Sequence, residues 1–316
     1  MVFSSNSGGP RPRELHWRFR MSVTTLPGTP APAGAKVTIQ SLQEKKEAGA
    51  PITALTAYDY ATARLVDEVG IDMVLVGDSL AMVVLGYEST LPVTVDEMLH
   101  HTRAVRRAVK RALLVADMPY GSYHLDEQQG VANAVRFIKE GGAEAVKVEG
   151  GRGGLVSRLC DAEIPVIGHL GLTPQSVNRM GGYKVQGKSS AQADRLLRDA
   201  IVLERAGAAA IVLEGMPREV ALRITSEVSI PTIGIGAGPD CDGQILVIHD
   251  LVNLSFSKPA KFVRQYGDAA ALYRTAIEGF RKDVERHTFP AEEESYHLPR
   301  ETRTAFVAPS LARRKA

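Results

Sequence analysis

Short runs of apolar, mostly β-branched residues recur along the middle of the chain, and a longer segment separates each run from the next. Eight such runs each predict a strand: Ile52–Ala57, Met73–Gly77, Leu113–Asp117, Ala145–Glu149, Pro165–His169, Ala210–Glu214, Pro231–Ile235 and Ile245–Asp250. Strands this apolar are typical of a parallel sheet that is covered on both faces.

The segments between the runs have apolar residues at helical spacing. The clearest predicted helices are Val95–Lys110, Leu125–Glu140, Ala191–Ala206 and Pro217–Val228. The first of them carries His100 and His101, which we expect to face solvent. Eight alternations of strand and helix predict a closed (β/α)8 barrel, or TIM barrel, in a single domain. An open doubly wound sheet is the alternative, but no Gly-x-Gly-x-x-Gly motif follows the first strand.

The two ends of the chain lack this alternation. Residues 1–35 are rich in proline, glycine and serine and predict a disordered extension, although their arginines and single acid, Glu14, also fit an organelle transit peptide. From Phe289 the chain is again polar and ends in basic residues, so residues 289–316 predict a solvated C-terminal tail. The barrel domain is therefore expected over residues 36–288.

Composition excludes several classes of function. The 38 basic and 36 acidic residues leave a net charge of +2, too small to attract nucleic acid or an anionic membrane. Two cysteines without a Cys-x-x-Cys spacing exclude a disulfide framework and a cysteine zinc site. No apolar run approaches the roughly 20 residues of a membrane helix. We expect a soluble, cytoplasmic protein without nucleic-acid or membrane partners.

Acidic residues stand at the carboxyl ends of three consecutive predicted strands. Asp78 follows the second strand, and Asp117 and Glu149 end the third and fourth. The active site of a (β/α)8 barrel lies at these ends, and adjacent strands are about 4.8 Å apart, so the three carboxylates would crowd together. Such crowding calls for a cation, or for protons that neutralise some of the carboxylates, and oxygen ligands favour Mg²⁺ over zinc. The alternative is that each acid caps the helix after its strand.

Three further polar residues extend this pattern. Lys147 shares a strand face with Glu149 and could pair with Asp117 or Glu149, or bind a substrate carboxylate. His169 ends the fifth strand, where it could be structural or catalytic. Glu214 ends the sixth strand behind four apolar residues, which should raise its proton affinity and suit a general base. Together these groups indicate proton abstraction beside the carbonyl of a metal-bound 2-oxo acid.

Several more specific motifs occur in order along the same region. They are Val76–Ser79, Ser89–Thr94, Val146–Gly151, Gly168–Gln175, Gly181–Gly187, and Gly234–Gly238 followed by Asp242–Gln244. As an ordered set they closely resemble the ketopantoate hydroxymethyltransferase family, also called 3-methyl-2-oxobutanoate hydroxymethyltransferases. The resemblance covers roughly residues 37–266.

The resemblance implies a (β/α)8-barrel transferase of pantothenate biosynthesis. Such an enzyme transfers a hydroxymethyl group from 5,10-methylenetetrahydrofolate to 3-methyl-2-oxobutanoate and forms 2-dehydropantoate, by way of a Mg²⁺-stabilised enolate. The resemblance also implies one Mg²⁺ per subunit and a homodecamer built from two pentameric rings.

The same resemblance assigns roles to individual residues. Asp78 and Asp117 would be direct Mg²⁺ ligands, and Glu149 would complete the metal shell directly or through water. Glu214 matches the family's proton acceptor, which makes it the catalytic residue. The implied contacts to the oxo acid come from Asp78, Ser79, Asp117, Lys147 and His169. Every one of these positions carries the residue type that the family has there.

Two other functions fit parts of the pattern. One is a Mg²⁺-dependent oxo-acid lyase or mutase of the phosphoenolpyruvate mutase and isocitrate lyase type, on the same barrel. Its lyases typically carry a cysteine-bearing loop, for which Cys160 and Cys241 are poorly placed. The other is a barrel kept only as a binding protein, but such a protein would be expected to have lost a metal ligand or the base.

Overall fold

Eight parallel strands form a closed barrel in the computed structural model, which describes residues 34–300 and 302–303. The strands are β1 (Ile52–Thr56), β2 (Met73–Val76), β3 (Leu113–Asp117), β4 (Ala145–Glu149), β5 (Val166–Gly171), β6 (Ala210–Glu214), β7 (Thr232–Ile235) and β8 (Gly243–Leu246). Each strand pairs with the next, and β8 pairs with β1. The (β/α)8 prediction is confirmed, and the open doubly wound sheet is excluded.

Helices surround the barrel and connect the strands. They are α1 (Ile39–Glu47), α2 (Tyr60–Val69), α3 (Leu80–Val83), α4 (Val95–Ala108), α5 (Glu127–Arg136), α6 (Gly153–Asp161), α7 (Val177–Met180), α8 (Ser190–Arg205), α9 (Arg218–Glu227), α10 (Ile248–Leu251) and α11 (Ala269–Glu285). A short π-helix, Phe137–Gly141, continues α5, and a short 3₁₀ helix, Pro174–Ser176, precedes α7. The four helices predicted from periodicity are all present, with ends shifted by a few residues.

Alternation along each strand divides the buried residues into two sets. On β2, Met73 and Leu75 belong to the cluster inside the barrel, whereas Val74 and Val76 belong to the cluster between the strands and the helices. This two-residue period follows from the pleat of a strand, whose successive side chains point to opposite faces. It also decides which polar side chains near a strand's carboxyl end face the barrel interior.

The amino-terminal end of the barrel is closed by α1. Leu42 on this helix packs with the first interior residues of the strands, including Ile52 and Met73. Two lysines at the end of the helix form ion pairs with carboxylates that precede strands, Lys45 with Asp72 at 2.6 Å and Lys46 with an aspartate before β8 at 3.0 Å. Because α1 closes the amino-terminal end, an open cavity is left at the opposite, carboxyl-terminal end of the barrel.

The eighth strand differs from its prediction. It runs from Gly243 to Leu246 instead of starting at Ile245, and the residues after Val247 form α10. A Cβ on Gly243 would lie 2.5 Å from the carbonyl oxygen of Ile52, so glycine permits the close pairing with β1 at the start of β8. The amide of Ile248 donates to the Thr56 hydroxyl at 3.0 Å, which diverts the chain into a helical turn.

One of the two neighbouring histidines on α4 also differs from its prediction. His100 is exposed, but His101 is half-buried, and its Nδ1 lies 2.6 Å from the carbonyl oxygen of Tyr58. From helical periodicity alone, both rings were predicted to face solvent. The packing of α4 on α2 brings the Tyr58 carbonyl oxygen into contact with the His101 ring.

The predicted extension over residues 1–35 lies outside the described residues except for its last two. The described part of the predicted tail is almost entirely exposed, and the ring of Phe289 lies 5.5 Å from that of Phe280 on α11. The division into an extension, a barrel over residues 36–288 and a tail stays a prediction. No helix in the described ranges is long and apolar enough to span a membrane.

Candidate active site

Strand register brings the polar residues together at the carboxyl-terminal end of the barrel. Asp117 pairs with Lys147 across β3 and β4, and Glu149 pairs with His169 across β4 and β5. Glu214 ends β6 opposite Gly171. On each of these strands the polar residue has the parity of the interior set, so its side chain points into the barrel. With Asp78 and Ser79, these residues line one cavity of about 90 Å³.

The three acidic residues predicted to bind metal form one buried cluster. Asp78, Asp117 and Glu149 are each no more than 4% exposed. The Asp78 amide donates to Asp117 Oδ2 at 3.0 Å, and Lys147 Nζ forms an ion pair with Asp117 Oδ1 at 2.9 Å. Of the two carboxylates that the sequence left open as partners of Lys147, the ion pair is with Asp117, and a contact between Lys147 and a substrate stays a prediction.

None of the three carboxylates caps the helix that follows its own strand. The starts of α3 and α6 receive no side-chain cap, and α5 is capped by Asp126. Ser79, at the start of α3, has its hydroxyl 2.8 Å from that of Tyr58. The capping alternative is excluded, and the acids are oriented toward the cavity instead.

The cluster carries more negative charge than its single lysine neutralises. Burial, followed by the charges of Asp117 and Glu149, raises the pKa of Asp78 well above its usual range. Burial also raises the pKa of Asp117, although Lys147 opposes that shift. The surrounding carboxylates raise the pKa of Lys147 despite its burial, so its ammonium is firmly charged. A bound cation would relieve the remaining repulsion between the carboxylates.

The donor set fits Mg²⁺ in its chemistry. It offers only oxygen ligands, and Glu149 Oε1 is buried without a hydrogen-bond partner among the described residues. Within that same part of the chain, no three acidic, histidine or cysteine side chains already converge as a complete ligand set. One oxygen of Asp78, Oδ2, accepts a hydrogen bond from Gln175 Nε2 at 2.8 Å.

His169 connects the acidic cluster with Glu214. Its Nδ1 lies 3.1 Å from Lys147 Nζ and 3.5 Å from Glu149 Oε1, and its Nε2 lies 3.1 Å from Glu214 Oε2. Burial and the lysine oppose protonation, but contacts with Glu149 and Glu214 outweigh them and raise the pKa of His169 to about 9. The contact between Nε2 and Glu214 is close, but Nε2 makes no well-aligned hydrogen bond to any described residue.

This contact corrects one expectation for Glu214. The sequence placed its carboxylate in apolar company alone, whereas one oxygen lies against the imidazole and the side chain is 16% exposed. The Glu214 side chain lines the cavity of the acidic cluster. Its distance from the acidic cluster is as expected, because β5 separates β6 from β4.

Sequence reasoning missed the residue that connects most of the site. Gln175, after β5, donates its amide N–H to Glu149 Oε2 at 3.0 Å and its side-chain amide to Asp78. Its Oε1 accepts from the Tyr123 hydroxyl at 2.7 Å, and that hydroxyl accepts from the Glu149 amide at 3.0 Å. Gln175 ends the Gly168–Gln175 motif, so its position just past a strand end was an available signal. Tyr123 lies outside the motifs named above, so nothing in the sequence indicated that it belongs to the site.

Comparison with known proteins places the chain by sequence. The family model described as ketopantoate hydroxymethyltransferase matches residues 36–292. The 3-methyl-2-oxobutanoate hydroxymethyltransferase of Koribacter versatilis (strain Ellin345) is 66% identical over 269 residues, which are 84% of this chain and 91% of the relative. The enzyme of the same name from Thermoanaerobacter sp. (strain X514) is 56% identical over 265 residues, covering 83% of this chain and 97% of the relative.

Solved structures with the same fold are far more distant in sequence. A phosphoenolpyruvate phosphomutase from Streptomyces platensis subsp. rosaceus is 16% identical with a TM-score of 0.54, over 88% of this chain and 96% of its own. A 2,3-dimethylmalate lyase is 14% identical with a TM-score of 0.53, over 88% of this chain and 95% of its own. These structures share the barrel, whereas the match across the sequence is to the transferases. The chain belongs to the ketopantoate hydroxymethyltransferase family.

Proposed function

We propose that this protein transfers a hydroxymethyl group from 5,10-methylenetetrahydrofolate to 3-methyl-2-oxobutanoate and forms 2-dehydropantoate. One observation carries the proposal: a single cavity is lined by an acidic cluster on one side and by Glu214 on the other. The reaction needs both. A hydrogen must leave C3 of the oxo acid before that carbon attacks the one-carbon donor, so the site needs a base to take the hydrogen and a metal, held by the acidic cluster, to make it acidic. Family membership supports the same reaction.

In this proposal Asp78 and Asp117 hold Mg²⁺, and Glu149 completes its shell directly or through water. When bound, Mg²⁺ would supply positive charge beside the keto and carboxylate oxygens of the oxo acid and make the C3 hydrogen more acidic. Ser79 lines the same cavity, where its hydroxyl can donate to the substrate. Lys147, fixed by Asp117 at 2.9 Å, contributes a permanent positive charge beside the substrate's negative one.

Glu214 takes the C3 proton in this proposal. Its carboxylate touches none of the proposed metal ligands through a described hydrogen bond, so its lone pairs stay available. The imidazole of His169 lies 3.1 Å from the carboxylate and lines the same cavity. Proton transfer to a positioned carboxylate is general-base catalysis, for which geometry comes first and proton affinity second.

The direct test is formation of 2-dehydropantoate by the purified full chain. We expect product only when 3-methyl-2-oxobutanoate, methylenetetrahydrofolate and a divalent cation are all present, and we expect chelation with EDTA to stop it. Mass spectrometry of the product, with a ¹³C label on the donor carbon, makes the transfer unambiguous. Consumption of an oxo acid without folate, with cleavage of a carbon–carbon or carbon–phosphorus bond, would instead establish the lyase or mutase alternative.

We also propose that the chain assembles as a homodecamer of two pentameric rings. The support on this chain is α11, on which only Ala270 is buried, while Tyr273, Ile277, Phe280 and Val284 form an exposed apolar stripe along one face. Exposed apolar stripes of this kind mark interaction surfaces, and the proposed occupant is a second copy of the chain. Location in the cytoplasm stays a prediction.

Replacing Ile277 and Phe280 together with aspartate should reduce the size of the assembly. Two charges on the stripe would have to be desolvated in an interface, which costs several kcal/mol. We expect light scattering after size-exclusion chromatography to show smaller species with an unchanged far-ultraviolet circular dichroism spectrum. Glu278→Gln, on the same helix but outside the stripe, should keep the wild-type mass. An unchanged mass in the double variant would exclude this face from the interface.

A further inference from the structure

A second cavity of about 450 Å³ adjoins the candidate active site. Glu149 lines both cavities, and the walls of the second come from the loop after β4, the loop after β5 and one face of α8. Its volume is within the range of small-molecule and cofactor sites. Leu170, Met180 and Leu196 give it apolar walls. It is therefore large enough for a ring system that approaches the acidic cluster from the side.

A groove of about 640 Å³ continues outward from this second cavity, which we call the inner cavity. The two share Arg179, Met180, Gln186 and Gln192, and the groove is otherwise lined by residues between Lys184 and Ser189. Three of its lining residues are cationic, namely Arg179, Lys184 and Lys188, and no acidic residue of the described chain lines it. We call this feature the basic groove.

Positive charge is more available in the basic groove than in the inner cavity. In the inner cavity, Arg195 lies 3.7 Å from Asp199, and Arg152 donates to the carbonyl oxygen of Glu149 at 3.1 Å. Among the described residues, by contrast, the three cations of the groove have no carboxylate within ion-pair distance. Their combined field therefore favours an anion that extends out of the inner cavity.

The backbone that carries the groove is anchored to the active site. The amide of Gln186 donates to the carbonyl oxygen of Gly215 at 2.9 Å, one residue after Glu214. Gly187 has a φ of +81°, and a Cβ there would lie 3.0 Å from the side chain of Leu196, so the loop packs closely on α8. The basic groove thus has a fixed position relative to Glu214.

We propose that the basic groove binds the glutamate tail of the folate co-substrate and makes the protein selective for polyglutamylated folates. The inference rests on the proposed function, which requires a folate next to Glu149 and Glu214. Folates end in glutamate, and every added glutamate brings one more negative charge. A folate whose ring fills the inner cavity would direct this tail outward past Arg179 toward Lys184 and Lys188.

The test is a binding measurement that needs no turnover. Tetrahydrofolate monoglutamate and pentaglutamate are titrated separately into the full-length protein by isothermal calorimetry, with Mg²⁺ and 3-methyl-2-oxobutanoate present. We expect the pentaglutamate to bind about tenfold more tightly at low salt and to lose much of that advantage near 0.5 M salt, where screening is strong. In Lys184→Gln/Lys188→Gln, the ratio of the two Kd values should fall close to one.

Lys139→Gln is the matched control. This exposed lysine lies in the short π-helix after α5, toward the amino-terminal end of the barrel, and does not line the basic groove. It should keep the wild-type ratio of the two Kd values. Equal binding of both folates to the wild type, or a wild-type ratio in the double variant, would overturn the inference. In either case the proposed function would stand if 2-dehydropantoate still forms. Binding of neither folate would count against both.

Discussion

Glu214→Gln is expected to slow exchange of the C3 hydrogen of 3-methyl-2-oxobutanoate with deuterated water by about 10²–10⁴-fold, the usual size of a general-base effect. Glutamine keeps the shape of the side chain, which lies 3.1 Å from His169 in the wild type, but it cannot take a proton. The acidic cluster is untouched, so binding of Mg²⁺ and oxo acid should persist. Exchange is followed by proton NMR without folate, which isolates proton removal from one-carbon transfer.

Glu219→Gln provides the matched control for this measurement. Glu219 is an exposed carboxylate in the first turn of α9, five residues after Glu214, and we expect its replacement to leave exchange unchanged. Exchange at the wild-type rate in Glu214→Gln would assign the base elsewhere. His169 would then be the next candidate, because its imidazole lines the same cavity 3.1 Å from Glu214.

Asp78→Asn is expected to weaken Mg²⁺ binding by at least about 100-fold, since even residues that only support a metal ligand are typically worth 10–100-fold in affinity. Turnover should nearly vanish. The fold should survive, because the pKa of the buried Asp78 is already raised by burial and by Asp117 and Glu149, so a neutral side chain relieves repulsion. The asparagine oxygen can still accept from Gln175. We expect the metal-free variant to melt no lower than the metal-free wild type.

The measurement is the rise in Tm with added MgCl₂, since a ligand that binds only the folded state stabilises it by mass action. The wild type should show this rise, and Asp78→Asn should show it only at much higher Mg²⁺. Asp117→Asn should behave similarly toward metal but melt lower, because Lys147 then loses its charged partner at 2.9 Å. Asp161→Asn, at an exposed position ending α6, is the matched control. Wild-type metal dependence of Tm and turnover in both variants would remove these aspartates from the metal site.

Much of the fold was accessible from the sequence because strand and helix periods are local properties. The β-branched runs and their alternation with amphipathic segments predicted the barrel, and β3, β4 and β6 have the predicted bounds. The eighth strand was shifted because Ile245–Ile248 is apolar enough for a longer strand. What ends it is the contact between the Ile248 amide and Thr56, a residue almost two hundred positions earlier.

The polar residues of the candidate site were also accessible, for a specific reason. A (β/α)8 barrel places every strand's carboxyl end at one face, so Asp117, Glu149, His169 and Glu214 could be grouped without knowing any distance. The motifs then identified the family. The sequence could not supply the interactions among these groups, because they depend on register between strands that are far apart in the chain.

The sequence by itself therefore determined the barrel, the family and the residue types at the strand ends, since these follow from local periodicity and linear motifs. Only the tertiary structure decided that Lys147 pairs with Asp117, that His169 faces Glu214, and that Gln175 binds both Asp78 and Glu149. Such contacts are set to within a few tenths of an ångström by side-chain packing across several strands. Neither composition nor spacing encodes a distance on that scale.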